Sequence, residues 1–253
     1  MKIDHKRLFD GLRASMHGGS LSEAQVASYE AILYAARTHG VTDPRHLSYI
    51  FSTTRGEVGS AMQPVREVGR GQGKRYGVPD PSTGEVYFGR GFVQITWADN
   101  YRKLGKRLGL PLYEEPDLAL KPEIAAKILV IGMVEGIFTG KKLSDYINDK
   151  GTNYREARRI INIMDRADEF AELARRYEAV IRAALITEGK GEVKDVSATV
   201  TIAKPAPKPD PAPAPEPPPE TEAQPHMSAA QVIVGVIAAA AAAIFGWIFM
   251  GGE

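Results

Sequence analysis

Glu57 and Glu67 stand ten residues apart in the run GEVGSAMQPVREVGRGQGKRYG, with Glu85 further along. Two carboxyl groups facing one cleft can divide the cleavage of a glycosidic bond. One, kept neutral by an apolar setting, gives its proton to the leaving oxygen, while the other, ionised, activates a water molecule. The neighbours differ in the sense this division requires. Glu57 follows a segment bearing Tyr49, Ile50 and Phe51, whose packing would partly desolvate a carboxyl at a helix end. Glu67 has Arg66 and Arg70 beside it in sequence, and their positive charge would favour its ionised form. The competing reading is a pair of solvated surface carboxylates, the usual situation of acidic side chains.

A second stretch, YFGRGFVQITWADNY from Tyr87 to Tyr101, mixes two kinds of residue. Phe88, Val93, Ile95 and Trp97 suit a pleated, half-buried strand, whereas Arg90, Gln94, Thr96, Asn100 and Tyr101 offer hydrogen bonds to a ligand. Two readings stay open for it. Either these polar groups meet a ligand, or Gly89 and Gly91 serve a bulge while Gln94 and Asn100 bond the backbone.

Other chemistries find little support. GRGQGKRYG lacks the spacing of a phosphate loop and its following Ser or Thr. The chain has no cysteine, so it holds neither disulfides nor thiolate metal sites, and its five histidines show no ligand spacing. No metal and no cofactor are expected. Lysine and arginine total 32 against 31 acidic residues, a balance that offers no field for nucleic acid. A monomer is expected.

The elements that must carry these residues read as helices with clear punctuation. Ser20 and Glu23 have the spacing of a capping box before a helix whose Val26, Tyr29, Ile32, Leu33 and Ala36 share one face until Gly40. Asp43 and Pro44 cap and start the next, with Leu47, Ile50 and Phe51 on one side. From Gly56 to Gly91 the glycines argue against regular helix. Pro122 begins a further helix, LSDYI a short one, and the stretch from Tyr154 to Ile186 one or two more. The domain is therefore expected to be mainly α (α+β), helical with a small β insertion, over residues 1–190. Residues 191–227 are expected to form a Pro-rich disordered linker, since AKPAPKPDPAPAPEPPPETEAQP has almost no apolar surface to bury. Residues 228–250 are expected to form a transmembrane helix, because Ala229 to Met250 carries no charge and is long enough to cross a hydrocarbon layer of roughly 30 Å. No apolar segment of signal-peptide length opens the chain, and few lysines or arginines flank the C-terminal run to orient it.

GRGFVQITWADNY, Gly89 to Tyr101, resembles the signature of family 19 glycoside hydrolases, the class I chitinase group and its phage and prophage endolysin relatives. Upstream, EVGSAMQPVREVGRGQGKRYG resembles the relatives' segment in which a helix-ending glutamate is followed by MQPVRE; downstream, PDLALKPEIAAKI, FTGKKLSDYIN and ARRIIN resemble later blocks of the endolysin branch. The likeness covers Lys6 to Leu185. It implies a lysozyme-like, two-lobed helical fold and hydrolysis with inversion, with Glu57 as general acid and Glu67 as base. It implies further that Gln94, Thr96, Asn100 and Tyr101 line the sugar cleft, that Arg90 ties the strand region to a carboxylate, and that Asn162 holds substrate or water. The implied partner is peptidoglycan or a chitin-type amino-sugar polymer, and with the C-terminal run it implies an enzyme anchored in the bacterial inner membrane and acting on the periplasmic wall. The chain departs from the pattern at Gly56, where relatives carry histidine, and at Arg55 and Val58. A glycine there lowers helix propensity where the acid must be held. The rival reading from another class is a membrane-tethered glycan-binding protein without catalysis.

Overall fold

Asp4 accepts a hydrogen bond from the Arg7 N–H and so caps α1, His5–Met16. The computed structural model describes residues 1–162 and 164–186; the linker at 191–227 and the transmembrane span expected at 228–250 lie outside them. Six more helices follow: α2 (Glu23–Thr38), α3 (Pro44–Val58), α4 (Ala98–Leu108), α5 (Pro122–Glu135), α6 (Leu143–Tyr146) and α7 (Ala167–Ala183). Short 3-10 turns cover Arg75–Gly77, Pro116–Leu120 and Glu156–Ile160. Two antiparallel pairs of two-residue strands complete the described part: β1 (Val65–Arg66) with β2 (Arg90–Gly91), and β3 (Ile147–Asn148) with β4 (Gly151–Thr152). The domain is mainly helical with small sheets, as its sequence pattern leads one to expect.

Local sequence explains most helix ends. Asp43 bonds the Arg45 N–H, and Pro44 occupies the first turn of α3, where its missing N–H costs nothing. Pro122 does the same for α5. The capping box of α2 is formed by Ser22 and Gln25 rather than by Ser20 and Glu23, so that helix starts later than the Ser20 pairing predicts. α3 also runs further than expected, and Glu57 lies within its last turn instead of just beyond it.

α3 is the axis of the core. Its residues Leu47 to Thr54 and Gly56 are all buried, a helix enclosed on every side. α7 packs along it, α1 packs on α7, and α2 packs on α5. α5 is itself nearly continuous apolar surface, from Ile124 to Met133. An antiparallel bridge between Ile3 and Leu185, with Asp4 N–H donating to Ala184 O at 2.8 Å, ties the two ends of the domain together. Among the described residues no helix is long and apolar enough to cross a membrane.

The strand-like reading of Tyr87 to Tyr101 needs correction. Only Arg90–Gly91 is strand; the chain then turns through Gln94 and Trp97, both at positive φ (51° and 72°), and α4 begins at Ala98. Left-handed backbone at two positions ends any extended run, whatever the β propensity of the side chains. Asn100 and Tyr101 consequently sit on a helix.

Candidate active site

Glu57 is presented by the last turn of the buried α3, which gives it a rigid mount. Its Oε1 accepts a 2.6 Å hydrogen bond from Arg158 Nη1. Arg158 comes from the 3-10 turn at Glu156–Ile160, is only 3% exposed, and donates its Nε–H to Asp165 O at 3.0 Å. Its guanidinium also lies 4.0 Å from the centroid of the Phe170 ring on α7. An arginine so enclosed is held in one geometry by its stack and its hydrogen bonds, and it fixes the carboxylate in turn.

Gly56 makes this arrangement possible. A β-carbon at position 56 would come within 2.3 Å of the Phe170 ring, so α3 and α7 approach here as only glycine allows. Arg166 Nη1 donates to Gly56 O at 3.1 Å, adding a second clasp across the same contact. The departure from the histidine of the family pattern is therefore coupled to Phe170, which fills the space, and Glu57 is held by Arg158.

Glu67 follows β1. Its backbone N–H donates to Gly89 O at 2.7 Å, and its Oε2 accepts from Gly89 N–H at 2.9 Å. Its other oxygen, Oε1, accepts from the Tyr76 hydroxyl at 2.7 Å. That hydrogen bond to Glu67 is the largest cause raising the Tyr76 phenol above its ordinary range. Tyr76 belongs to GRGQGKRYG, which is folded on itself so tightly that a β-carbon on Gly77 would meet Gly71 O at 1.8 Å. The glycines serve backbone packing, and their product is a tyrosine aimed at Glu67.

The setting of the two acids thus differs from the expectation. The sequence neighbours of Glu57 predict an apolar environment, and the structure gives it an arginine instead. Among the described residues neither Arg66 nor Arg70 pairs with Glu67; Arg66 Nη2 donates to Asp117 at 2.6 Å. The reason is geometric, because the turn at Pro116–Leu120 brings Asp117 against β2 and offers Arg66 a carboxylate at closer reach.

The residues of the glycine-rich signature divide into framework and surface. Arg90 is 3% exposed and donates its Nε–H to Asp117 at 2.7 Å, while its Nη1 reaches Val86 O, Phe88 O and the Tyr101 hydroxyl. Tyr101 is fully buried and donates to Phe88 O, and burial, opposed by Arg90, pushes its phenol up to about 12. Its expected role in lining the cleft does not fit that burial. Gln94 donates to Val65 O and Gly91 O, and Asn100 donates to Thr96 O, so both bond backbone in this conformation. Gln94 nevertheless stands close to Glu67: a β-carbon on Gly89 would touch Gln94 Oε1 at 3.0 Å and Glu67 Cβ at 3.2 Å. Thr96 is half-buried, and Asn162 is exposed with its N–H on Arg158 O at 3.1 Å. Residue types and spacing do not single out Arg158, Tyr76, Asp117 or Phe170; for Arg158 and Tyr76 the signal lies in the blocks ARRIIN and GRGQGKRYG themselves. Among the described residues no cluster of His, Asp or Glu could hold a metal ion.

No family model matches the chain. An Arabidopsis thaliana endochitinase is 32% identical over 123 residues, covering 46% of this chain and 43% of that protein. A second A. thaliana endochitinase is 54% identical over 43 residues (17% of this chain, 15% of that protein), and a third, an inactive endochitinase, 52% over 46 residues (17% and 16%). The chain thus spans less than half the length of the curated relatives it matches. In fold it is similar to chitinase C from Streptomyces griseus HUT6037, with a TM-score of 0.52 at 18% identity, covering 71% of this chain and 76% of that one. It is also similar to the family GH19, class IV chitinase from Zea mays, with a TM-score of 0.50 at 18% identity, covering 72% and 96%. These relatives and structural neighbours are chitinases by name, the class of glycoside hydrolases.

Proposed function

We propose that the domain is a glycoside hydrolase that cuts the glycan backbone of an amino-sugar polymer with inversion. The observation that carries the reading is the pair of separately braced carboxylates, Glu57 on Arg158 and Glu67 on Tyr76 and Gly89, in a domain whose relatives are endochitinases. Glu57 donates its proton to the glycosidic oxygen as the bond to the anomeric carbon breaks. The carboxylate this leaves faces the Arg158 guanidinium, so charge developing on Glu57 in the transition state meets a fixed positive partner. Glu67 accepts a proton from the water that attacks the opposite face of the sugar. Tyr76 and Gly89 each engage one of its oxygens and so orient the remaining lone pairs toward that water.

Within this chemistry we favour peptidoglycan as the substrate and an endolysin-like role, supported by the endolysin-like sequence blocks and by the uncharged run from Ala229 to Met250 that would keep the domain near a bacterial membrane and the periplasmic wall. Chitin is the second reading, favoured by the names of the relatives. Mass spectrometry of digested sacculi, beside chito-oligosaccharide release from chitin, separates the two. Wild type is expected to release muropeptides with new reducing ends, and Glu57→Gln to release none; equal release by both proteins defeats the catalytic assignment. Sacculus binding without new reducing ends would support the tethered glycan-binding reading. Recovery of the full chain in a soluble fraction would remove the membrane tether.

A further inference from the structure

Trp97 combines three features that the function above does not use. It is 44% exposed, the one tryptophan among the described residues. It holds a φ of 72°, a left-handed backbone that a bulky residue adopts at a cost of roughly 1–3 kcal/mol. It also sits at the N-cap of α4 and makes no side-chain cap there, where Asn, Asp or Ser would bond a free N–H and tolerate the backbone better. Local structure therefore gives no reason for the largest apolar side chain at this position.

The surroundings supply one. The indole meets the Tyr76 ring edge to face, centroids 5.4 Å apart at 72°, and the Tyr76 hydroxyl is bonded to Glu67. The Arg75 guanidinium lies 6.0 Å from the indole centroid. An exposed aromatic is thus braced one side chain away from the proposed base, with a cation at its side. Val65 and Val68, the chain neighbours on either side of Arg66 and Glu67, are exposed apolar side chains as well. Pyranose rings of β-linked amino sugars present flat C–H faces, and an exposed indole is the side chain best matched to them.

We propose that Trp97, backed by Tyr76 and flanked by Arg75, is a stacking platform for a sugar ring of the bound glycan on the Glu67 side of the scissile bond. It rests on the glycosidase reading for its substrate class, and it makes Trp97 a determinant of how tightly a glycan is held rather than of the bond-breaking step.

The sequence has two tryptophans, so Trp247→Phe in the full chain leaves Trp97 as the sole tryptophan, read by excitation on the red edge where tyrosine does not absorb. In that background with Glu57→Gln, titration with chitohexaose and with a peptidoglycan glycan fragment is expected to shift and quench Trp97 emission to saturation with at least one of them. In the active protein Trp97→Ala is expected to raise KM roughly tenfold with kcat within about threefold, a stacking loss of about 1.4 kcal/mol, and Trp97→Phe to recover most of it. Glycan hydrolysis by the wild type with unchanged Trp97 emission and an unchanged KM in Trp97→Ala overturns the platform alone. A saturable Trp97 response without hydrolysis overturns the catalytic reading and leaves the platform standing. Neither hydrolysis nor response overturns both.

Discussion

The ring of Phe170 fills the space that a β-carbon on residue 56 would require, with a nearest approach of 2.3 Å. This contact joins α3 to α7 one residue before Glu57 and carries Arg158 on the same ring. Restoring the histidine of the family pattern should therefore harm this chain. Gly56→His, and even Gly56→Ala, is expected to destabilise the domain by about 1–3 kcal/mol through overpacking. Combining Gly56→Ala with Phe170→Leu should cost less than the sum of the two single changes, a coupling that thermal or urea unfolding would detect. Strict additivity would mean that the two positions do not compete for one space.

Arg158 has a distinct test. Its removal takes away both the Glu57 bond and the stack on Phe170. Arg158→Ala is expected to lower kcat roughly a hundredfold and stability by about 2–3 kcal/mol, since the carboxylate is left partly buried without its partner. Arg158→Lys keeps the charge but not the planar fork and should recover only part of either quantity. Full activity in the lysine variant, measured on soluble oligosaccharides, would show that charge alone is what Glu57 needs.

Tyr76→Phe removes one hydroxyl and leaves the ring against Trp97. A hydrogen bond to an ionised group in a partly exposed site contributes about 1–2 kcal/mol, so kcat should fall roughly tenfold while KM changes little. A rise in KM with kcat intact would instead make Tyr76 a binding residue.

His17 predicts how stability depends on pH. Burial first, and the Arg55 charge second, hold its imidazole down at about 4, against an ordinary value near 6.5. Gln25 Nε2 lies 3.0 Å from His17 Nδ1 and donates to it, so Nε2 carries the proton and donates to the Tyr29 hydroxyl at 2.9 Å, which continues to Tyr177 at 2.8 Å. The unfolded chain binds this proton more readily than the folded one. The contribution is therefore complete above about 6.5 and is lost as pH falls through about 4. Melting temperature should drop across that interval in the wild type, and His17→Gln should flatten the drop; parallel profiles would clear His17 of the effect.

Much of the scaffold could be read from residue types because its signals are local. Asp43 with Pro44, Pro122 and the LSDY turn each act within one helical turn. α2 shows the limit: Ser20 with Glu23 and Ser22 with Gln25 both have capping-box spacing, and only the path of the chain chooses between them. The two glutamates could be picked out by chemistry, but the groups that hold them could not be read in the same way. Arg158 reaches Glu57 across 101 residues, and no periodicity announces such a pairing. Tyr76 lies only nine residues from Glu67, yet its direction depends on glycines whose backbone conformation a pattern of residue types does not specify. The strand reading of the signature failed at Gln94 and Trp97 for a related reason, since nothing in those side chains favours positive φ.

The mounting of the two carboxylates is unequal. Glu57 rides on a helix whose central residues, Leu47 to Thr54, are all buried, whereas Glu67 sits on a loop kept in place by its N–H on Gly89 O, by the Gly89 N–H on its own carboxylate and by one phenol. Under the proposed mechanism the pair would act as a vise with a fixed jaw and an adjustable one. Amide protons at Glu67 and Gly89 should accordingly exchange with solvent long before those in the middle of α3, and it is the loop jaw that must yield when a bulkier sugar substituent enters.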